Sequence, residues 1–201
     1  MKIGVFGGTF NPIHNGHIKL LNLYYKELGL DKIIVIPTNI PPHKTAENVV
    51  DSLDRLNMLK LAFEGVPYVE ISDIELKMSG KSYTVNTISA LKEIYPDDEL
   101  YLIVGGDMFL CFESWREYKN ILSMCTLCSA PREMGEYSAL AEYQLKLDPE
   151  KKHTFLLDSE VLVLSSSEIR EKIKLGADLD DLLPKKVLEY IVQKGLYKND
   201  C

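Results

Sequence analysis

The stretch Gly7–His17, GGTFNPIHNGH, leaves this chain few folds to choose from. Before it, Lys2 to Phe6 has the continuous apolar character of a strand buried on both faces. After it, a helical pattern begins near Asn15. A strand that passes through a glycine pair into a helix suits close backbone approach to a ligand, and the helix start offers unpaired N–H groups and a positive dipole end to phosphate. His14 and His17 stand three apart across the first turn, which puts both rings on one side. Each piece alone has a bland reading, because glycines often mark only tight turns and a lone histidine is more often a surface or capping residue. The joint occurrence points to an anion site served by two imidazoles.

Periodicity extends the same architecture. Ile18, Leu21, Tyr25 and Leu28 recur at helical steps, Gly29 stops them, and Lys32–Ile36 reads as a second strand ending at Pro37. A right-handed crossover makes these two strands parallel neighbours or near neighbours. Further helices are predicted over Asp51–Phe63 with Ser52 as cap, from Ser82 or Thr84 to Tyr95, over Glu136–Leu147, and from Pro184 to Lys194 with Gly195 closing. Further strands are predicted at Tyr68–Ser72, Glu99–Val104, Cys125–Ala130, Thr154–Leu157 and Val161–Leu164. The expected fold class is α/β, a Rossmann-like open parallel sheet with helices on both faces. With 201 residues, no internal repeat and no low-complexity linker, residues 1–201 are expected to form a single domain.

Ligands of such sheets bind beyond the C-terminal ends of the strands, so the residues there carry the functional reading. The loop PTNIPPHK ends in His43 and Lys44, either a stiff connector with a solvated basic end or a lysine reaching phosphate. Gly105-Gly106-Asp107 suits backbone approach with a carboxylate for a ribose hydroxyl, and Asp107 equally suits a helix cap. Arg132 follows another strand as a candidate phosphate ligand. Ser165-Ser166-Ser167-Glu168-Ile169-Arg170 begins a helix, and ordinary capping competes there with a second anion site. Trp115, the single tryptophan, is either padding or a face for stacking on an aromatic ring.

These residues carry a resemblance. GGTFNPIHNGH resembles the H-x-G-H signature of the nucleotidyltransferase superfamily, and its Gly-Gly-Thr-Phe opening resembles the bacterial nicotinate-nucleotide adenylyltransferases in particular. The Pro-Pro-His-Lys segment, Ser82-Tyr83-Thr84, and Ser165 to Arg170 resemble that family's further motifs, with Ser167 where the family has Thr. Asn11 stands where members usually carry Asp, and Arg116 where some carry an aromatic residue. The resemblance implies transfer of AMP from ATP to nicotinate mononucleotide, giving nicotinate adenine dinucleotide and pyrophosphate in NAD biosynthesis. It implies catalytic roles for His14, His17, Lys44 and Arg170. It implies ATP binding by Gly7, Gly8, Thr9, Phe10, Gly16, Gly105, Asp107, Ser165, Ser166 and Ser167. Acceptor binding falls to Thr84, Trp115, Arg116 and Arg132, with Trp115 stacked on the nicotinate ring. Mg²⁺ is expected to come with ATP, and no other metal is expected.

Composition excludes other classes. A formal net charge of −7 disfavours loose binding to nucleic acid or an acidic membrane surface. No apolar run is long enough to span a bilayer and the N-terminus enters a strand directly without a signal peptide, so a cytoplasmic protein is expected. Cys125 and Cys128 form a C-x-x-C, but no second pair accompanies them, and they read as small buried hydrophobes. No hydroxyl, thiol or lysine is paired in sequence with a base, so covalent catalysis is not suggested. Adenylyl transfer needs none, because the attacking phosphate is already anionic and the protein has only to position it and neutralise charge. The first turn carries Gly4, Gly7 and Gly8 rather than G-x-G-x-x-G, against a dehydrogenase. A related transferase acting on nicotinamide mononucleotide or phosphopantetheine, and a non-catalytic nucleotide sensor, stay open. So does oligomeric state, a homo-oligomer included.

Overall fold

The computed structural model of the chain describes residues 1–39, 49–131, 135–158 and 164–198. In chain order the elements are β1 (Lys2–Gly8), α1 (Asn15–Glu27), β2 (Lys32–Pro37), α2 (Ser52–Ala62), β3 (Val69–Ile71), α3 (Ile74–Lys77), α4 (Thr84–Ile94), β4 (Glu99–Gly105), α5 (Gly106–Leu110), α6 (Tyr118–Met124), β5 (Thr126–Ala130), α7 (Glu136–Leu147), β6 (Thr154–Leu156), α8 (Ser166–Lys174) and α9 (Lys185–Lys194). A 3₁₀ turn at Phe112–Ser114 lies between α5 and α6. The strands form one parallel sheet in the order β3-β2-β1-β4-β5-β6. Successive strands are therefore added to one side of β1 up to β3 and to the other side from β4 onward, and a crevice opens at the C-terminal ends of β1 and β4, where the connections leave to opposite sides.

The apolar strands are buried on both faces, which is why they read as runs rather than alternations. In β2, Ile33 and Val35 pack with Leu21 and Tyr24 of α1, Met58 and Leu59 of α2, Ile169 of α8 and Val187 and Ile191 of α9. Ile34 and Ile36 pack to the other side with Ile3 and Val5, beneath Ile88 of α4, Phe109 of α5, Ile121 of α6 and Leu140 of α7. Among the described residues no helix is long and apolar enough to cross a membrane.

Several local expectations are corrected. Asp51, not Ser52, caps α2, its carboxylate accepting from the Leu53 N–H at 2.7 Å. Neither Ser82 nor Thr84 caps α4: the cap position is Tyr83, and the Ser82 hydroxyl oxygen instead accepts from the backbone N–H of Asn39 beyond β2. Gly105 rather than Asp107 occupies the cap position of α5, and Asp107 lies in its first turn. Helices α3, α5 and α6, of four, five and seven residues, went unread because so few residues cannot display a helical period. Of the strand expected at Val161–Leu164, residues 161–163 lie outside the described residues, and Leu164 is not in a strand.

Candidate active site

The β1–α1 connection is built around two histidines that cap one helix together. His14, 3 % exposed, is the N-cap of α1, and its Nδ1 accepts from the His17 backbone N–H at 3.3 Å. His17 Nδ1 returns the bond, accepting from the His14 backbone N–H, also at 3.3 Å. The rings stack with centroids 3.6 Å apart. This is a capping box made of imidazoles in place of the usual Ser and Glu. Its chemical consequence is a tautomer: a neutral ring that accepts at Nδ1 carries its proton at Nε2, so each imidazole has Nε2–H as its donor.

The neighbouring residues shape this pair. Phe10, with φ of +48°, is 3 % exposed and meets the edges of Phe6 and His17, so it lies under the loop as a support for His17. A Cβ on Gly8 would come within 2.9 Å of the Phe10 ring, so the loop's own packing demands that glycine. Nothing lies within 4 Å of a Cβ built on Gly7, which leaves its backbone open to the crevice. A Cβ on Gly16 would approach the His14 ring at 3.1 Å and Leu164 Cβ at 3.2 Å. Glycine there lets the segment leading into α8 close onto the start of α1.

That closure joins the two predicted anion sites. The Ser166 hydroxyl donates to the Pro12 carbonyl at 2.9 Å, and Arg170 donates through Nη1 to the Asn11 carbonyl at 2.9 Å and through Nη2 to the Ser167 hydroxyl oxygen at 3.2 Å. Ser165 caps α8 in a box with Glu168, its hydroxyl donating to Glu168 Oε2 at 2.9 Å. A hydroxyl has one hydrogen. Those of Ser165 and Ser166 are given to protein oxygens, so the donors this helix start can turn outward are the Ser167 hydroxyl, Arg170 and the backbone N–H groups.

Beside this pair of helix starts, a cavity of about 440 Å³ occupies the crevice between the ends of β1 and β4. Gly7, Gly8, Thr9 and Gly105 line it from the strands, and Thr84, Trp115 and Arg116 from the helical layer above. The Trp115 ring packs against Phe112 at 5.2 Å, with Nε1 buried and without a hydrogen-bond partner. The largely exposed Arg116 places its guanidinium 4.9 Å from the Tyr83 ring centroid. His14, His17, Phe10, Gly16, Asp107, Ser165, Ser166, Ser167 and Arg170 do not line the cavity. Lys44 and Arg132 lie outside the described residues, as does His43.

Two buried charges at the cavity were not singled out from the sequence. Arg55 on α2, 2 % exposed, donates to the carbonyls of Thr9 and Thr38 at 2.9 and 2.7 Å and to that of Val50 at 3.2 Å, fixing the strand ends that floor the cavity. Glu75 on α3, 6 % exposed, lines the cavity; its Oε1 accepts from the Thr87 hydroxyl at 2.7 Å and its Oε2 has no hydrogen-bond partner. Burial pushes its carboxyl above the usual range, opposed by the Thr87 and Ser82 hydroxyls. Among the described residues no cluster of three or more His, Cys, Asp or Glu could hold a metal ion.

The arrangement is an apolar pocket with a few polar groups beside two joined helix starts, fit to hold a ring-bearing molecule against a polyphosphate. A family model described as cytidylyltransferase-like matches residues 5–172. The chain is 40 % identical over 199 residues to a probable nicotinate-nucleotide adenylyltransferase of Desulfitobacterium hafniense, covering 98 % of this chain and 96 % of that one. It is 36 % identical over 198 residues to the nicotinate-nucleotide adenylyltransferase of Bacillus subtilis, covering 98 % and 99 %. Among solved structures, the fold is similar to that of Plasmodium falciparum nicotinic acid mononucleotide adenylyltransferase complexed with NaAD, with a TM-score of 0.79, 20 % identity and coverage of 98 % and 97 %.

Proposed function

The chain belongs to the cytidylyltransferase-like family and, within it, to the nicotinate-nucleotide adenylyltransferases, and from that premise we propose that it transfers AMP from ATP to nicotinate mononucleotide. The products are nicotinate adenine dinucleotide and pyrophosphate. The observation that carries the reading is the junction of the α1 and α8 starts, made by Ser166 on Pro12 and Arg170 on Asn11, beside a ring-sized cavity at the sheet's switch point.

In this reading ATP lies across the two helix starts. The Nε2–H groups of His14 and His17 donate to the phosphates as charge builds on them, while Ser167, Arg170 and the first backbone N–H groups of α8 hold the departing pyrophosphate. Lys44 adds a cation, and Gly16 and Phe10 act by placing the histidines. Gly105 and Asp107 serve the ATP ribose. The acceptor occupies the cavity with its ring between Thr84 and Trp115 and Arg116 at the wall, Arg132 serves its phosphate, and Gly7, Gly8 and Thr9, which line the same cavity, serve ATP where it meets the acceptor. An acceptor phosphate oxygen attacks the α-phosphorus in line and the bond to the β-phosphate oxygen breaks, so catalysis reduces to positioning and neutralisation. Mg²⁺ would enter on ATP, held by phosphate oxygens and water rather than a protein cage, and would neutralise the leaving group.

The test is to mix protein, Mg²⁺ and ATP with nicotinate mononucleotide, nicotinamide mononucleotide or phosphopantetheine and to measure pyrophosphate. Release is expected with nicotinate mononucleotide at the highest kcat/KM. Release with phosphopantetheine alone would reassign the acceptor, and tight ATP binding without turnover of any acceptor would make the chain a sensor.

A further inference from the structure

Three polar side chains are buried together at one end of the cavity. Glu75 on α3, Ser82 on the approach to α4 and Thr87 within α4 are 6, 7 and 3 % exposed, and all three line it. Their bonds join three elements. Glu75 Oε1 accepts from the Thr87 hydroxyl at 2.7 Å, which ties α3 to α4. At the end of β2, the Asn39 backbone N–H donates to the Ser82 hydroxyl oxygen at 3.1 Å, and the Asn39 side-chain amide donates to the carbonyl of Met78, just past α3, at 3.4 Å. Polar groups are costly to bury unless paired, and a paired set fixes one arrangement where apolar side chains would allow several.

The segment that this set holds has little else to hold it. Helix α3 has four residues, too few to persist alone, and Ser79, Gly80 and Lys81 beyond it are exposed, with Gly80 at φ of +82°. Helix α4 then starts from Tyr83 with no side-chain cap. Tyr83 and Thr84 line the cavity, and in the reading above the acceptor ring lies against Thr84.

We propose that Glu75 and Thr87 are positioning residues for the acceptor: their hydrogen bond, braced by Asn39 on Ser82 and Met78, sets where the first turn of α4 stands and so where the ring is received. Neither side chain has to touch the ring. An oxygen of the carboxylic acid or of its anion accepts from a hydroxyl, so the brace holds in either form of Glu75. The inference rests on the proposed acceptor pocket and adds to it the bond that keeps its ring end in place.

The test is steady-state pyrophosphate release from ATP, with Mg²⁺, and nicotinate mononucleotide by wild type, Glu75→Leu, Thr87→Val and the double variant. Each single variant is expected to raise KM for the mononucleotide by about tenfold, as for loss of one buried hydrogen bond, while kcat and KM for ATP stay within about twofold. The double variant is expected to be no worse than either single one, since both remove the same bond. Glu75→Gln and Thr87→Ser keep the acceptor and the donor, and each is expected to hold KM within about threefold of wild type. An unchanged KM in the folded single variants, a loss spread equally over kcat and KM for ATP, a double variant whose loss is the product of the two, or a Glu75→Gln as poor as Glu75→Leu overturns the inference and leaves the adenylyltransferase reading intact. If Glu75→Leu does not fold, Thr87→Val against Thr87→Ser decides. Wild-type protein that turns over no mononucleotide overturns both.

Discussion

Tyr197 and Asn11, near opposite ends of the chain, share a buried hydrogen bond: the Tyr197 hydroxyl donates to Asn11 Oδ1 at 2.9 Å. The Val50 backbone N–H donates to the same oxygen at 3.2 Å, and the Asn11 carbonyl receives Arg170. What this position requires is an acceptor, which an amide oxygen supplies as well as a carboxylate does, so Asn can stand where relatives usually carry Asp. Burial pushes the Tyr197 hydroxyl above its ordinary range, so it stays a donor. Tyr197→Phe is expected to cost about 1–2 kcal/mol, because Asn11 Oδ1 loses a buried partner. Urea unfolding at neutral pH checks this.

His14 does two things that one substitution can separate. Asn is among the best N-cap residues, so His14→Asn is expected to keep α1 and to lose less than about 1 kcal/mol of stability. It removes the imidazole Nε2–H. If that group faces the phosphates in the transition state, pyrophosphate release should fall on the order of a hundredfold in kcat/KM. Near-normal turnover in a stable His14→Asn would leave His14 a cap and nothing more.

The β1–α1 stretch was legible because its signals are local: a run of apolar residues, two glycines and a histidine pair at a helix start leave little to tertiary context. The strands were legible for the same reason, since strands buried on both faces announce themselves, but of their order only the neighbourhood of β1 and β2 could be read, and the placing of β4 on the other side of β1 depends on tertiary contacts. Glu75 and Arg55 were not legible. Glu75 sits among Lys77, Met78 and Lys81 in a segment that reads as a solvated charged turn, and only the folding of α3 against α4 buries it. Ser165 and Ser166 show a different limit, because sequence places a hydroxyl at a helix start without saying which oxygen receives its hydrogen. The outer wall of the site rests on α5, the 3₁₀ turn and α6, elements too short to carry a period.

Cys125 and Cys128 should be inert in the native protein. Both are buried, and burial pushes the Cys125 thiol up to about 12 and the Cys128 thiol well up as well, so neither offers a thiolate at neutral pH. Cys111 is exposed. Iodoacetamide at pH near 8 is expected to label the peptide carrying Cys111 while the peptide carrying Cys125 and Cys128 stays unmodified until urea is added, as read by mass spectrometry. Rapid native labelling of the pair would argue for a redox or metal role.

Arg55 is a buried cation with three carbonyl partners and, among the described residues, no ion pair. Burial lowers its pKa, yet a guanidinium remains charged. Arg55→Met leaves the carbonyls of Thr9, Thr38 and Val50 without their donor and is expected to cost on the order of 3 kcal/mol. Because Thr9 and Thr38 floor the cavity, KM for the acceptor should rise together with the loss of stability, and Arg55→Lys should recover part of both. Chemical unfolding and acceptor titration of the three proteins measure the two effects side by side.

Glu75 gives the fold a pH dependence of definite sign. Its folded-state pKa is raised above the ordinary 4.5 by burial, so between 4.5 and the folded value the native state holds more protons than the unfolded chain. Stability from this group is then fully present below 4.5 and is lost as pH climbs through the folded value, after which the loss is constant. Glu75→Gln does not titrate and keeps an acceptor for the Thr87 hydroxyl. Its stability relative to wild type is therefore expected to improve from pH 5 to pH 8, in urea unfolding without nucleotide. A relative stability that is flat across that range would mean that Glu75 ionises in the folded protein as readily as in water, and one that worsens would mean that the Thr87 and Ser82 hydroxyls outweigh its burial.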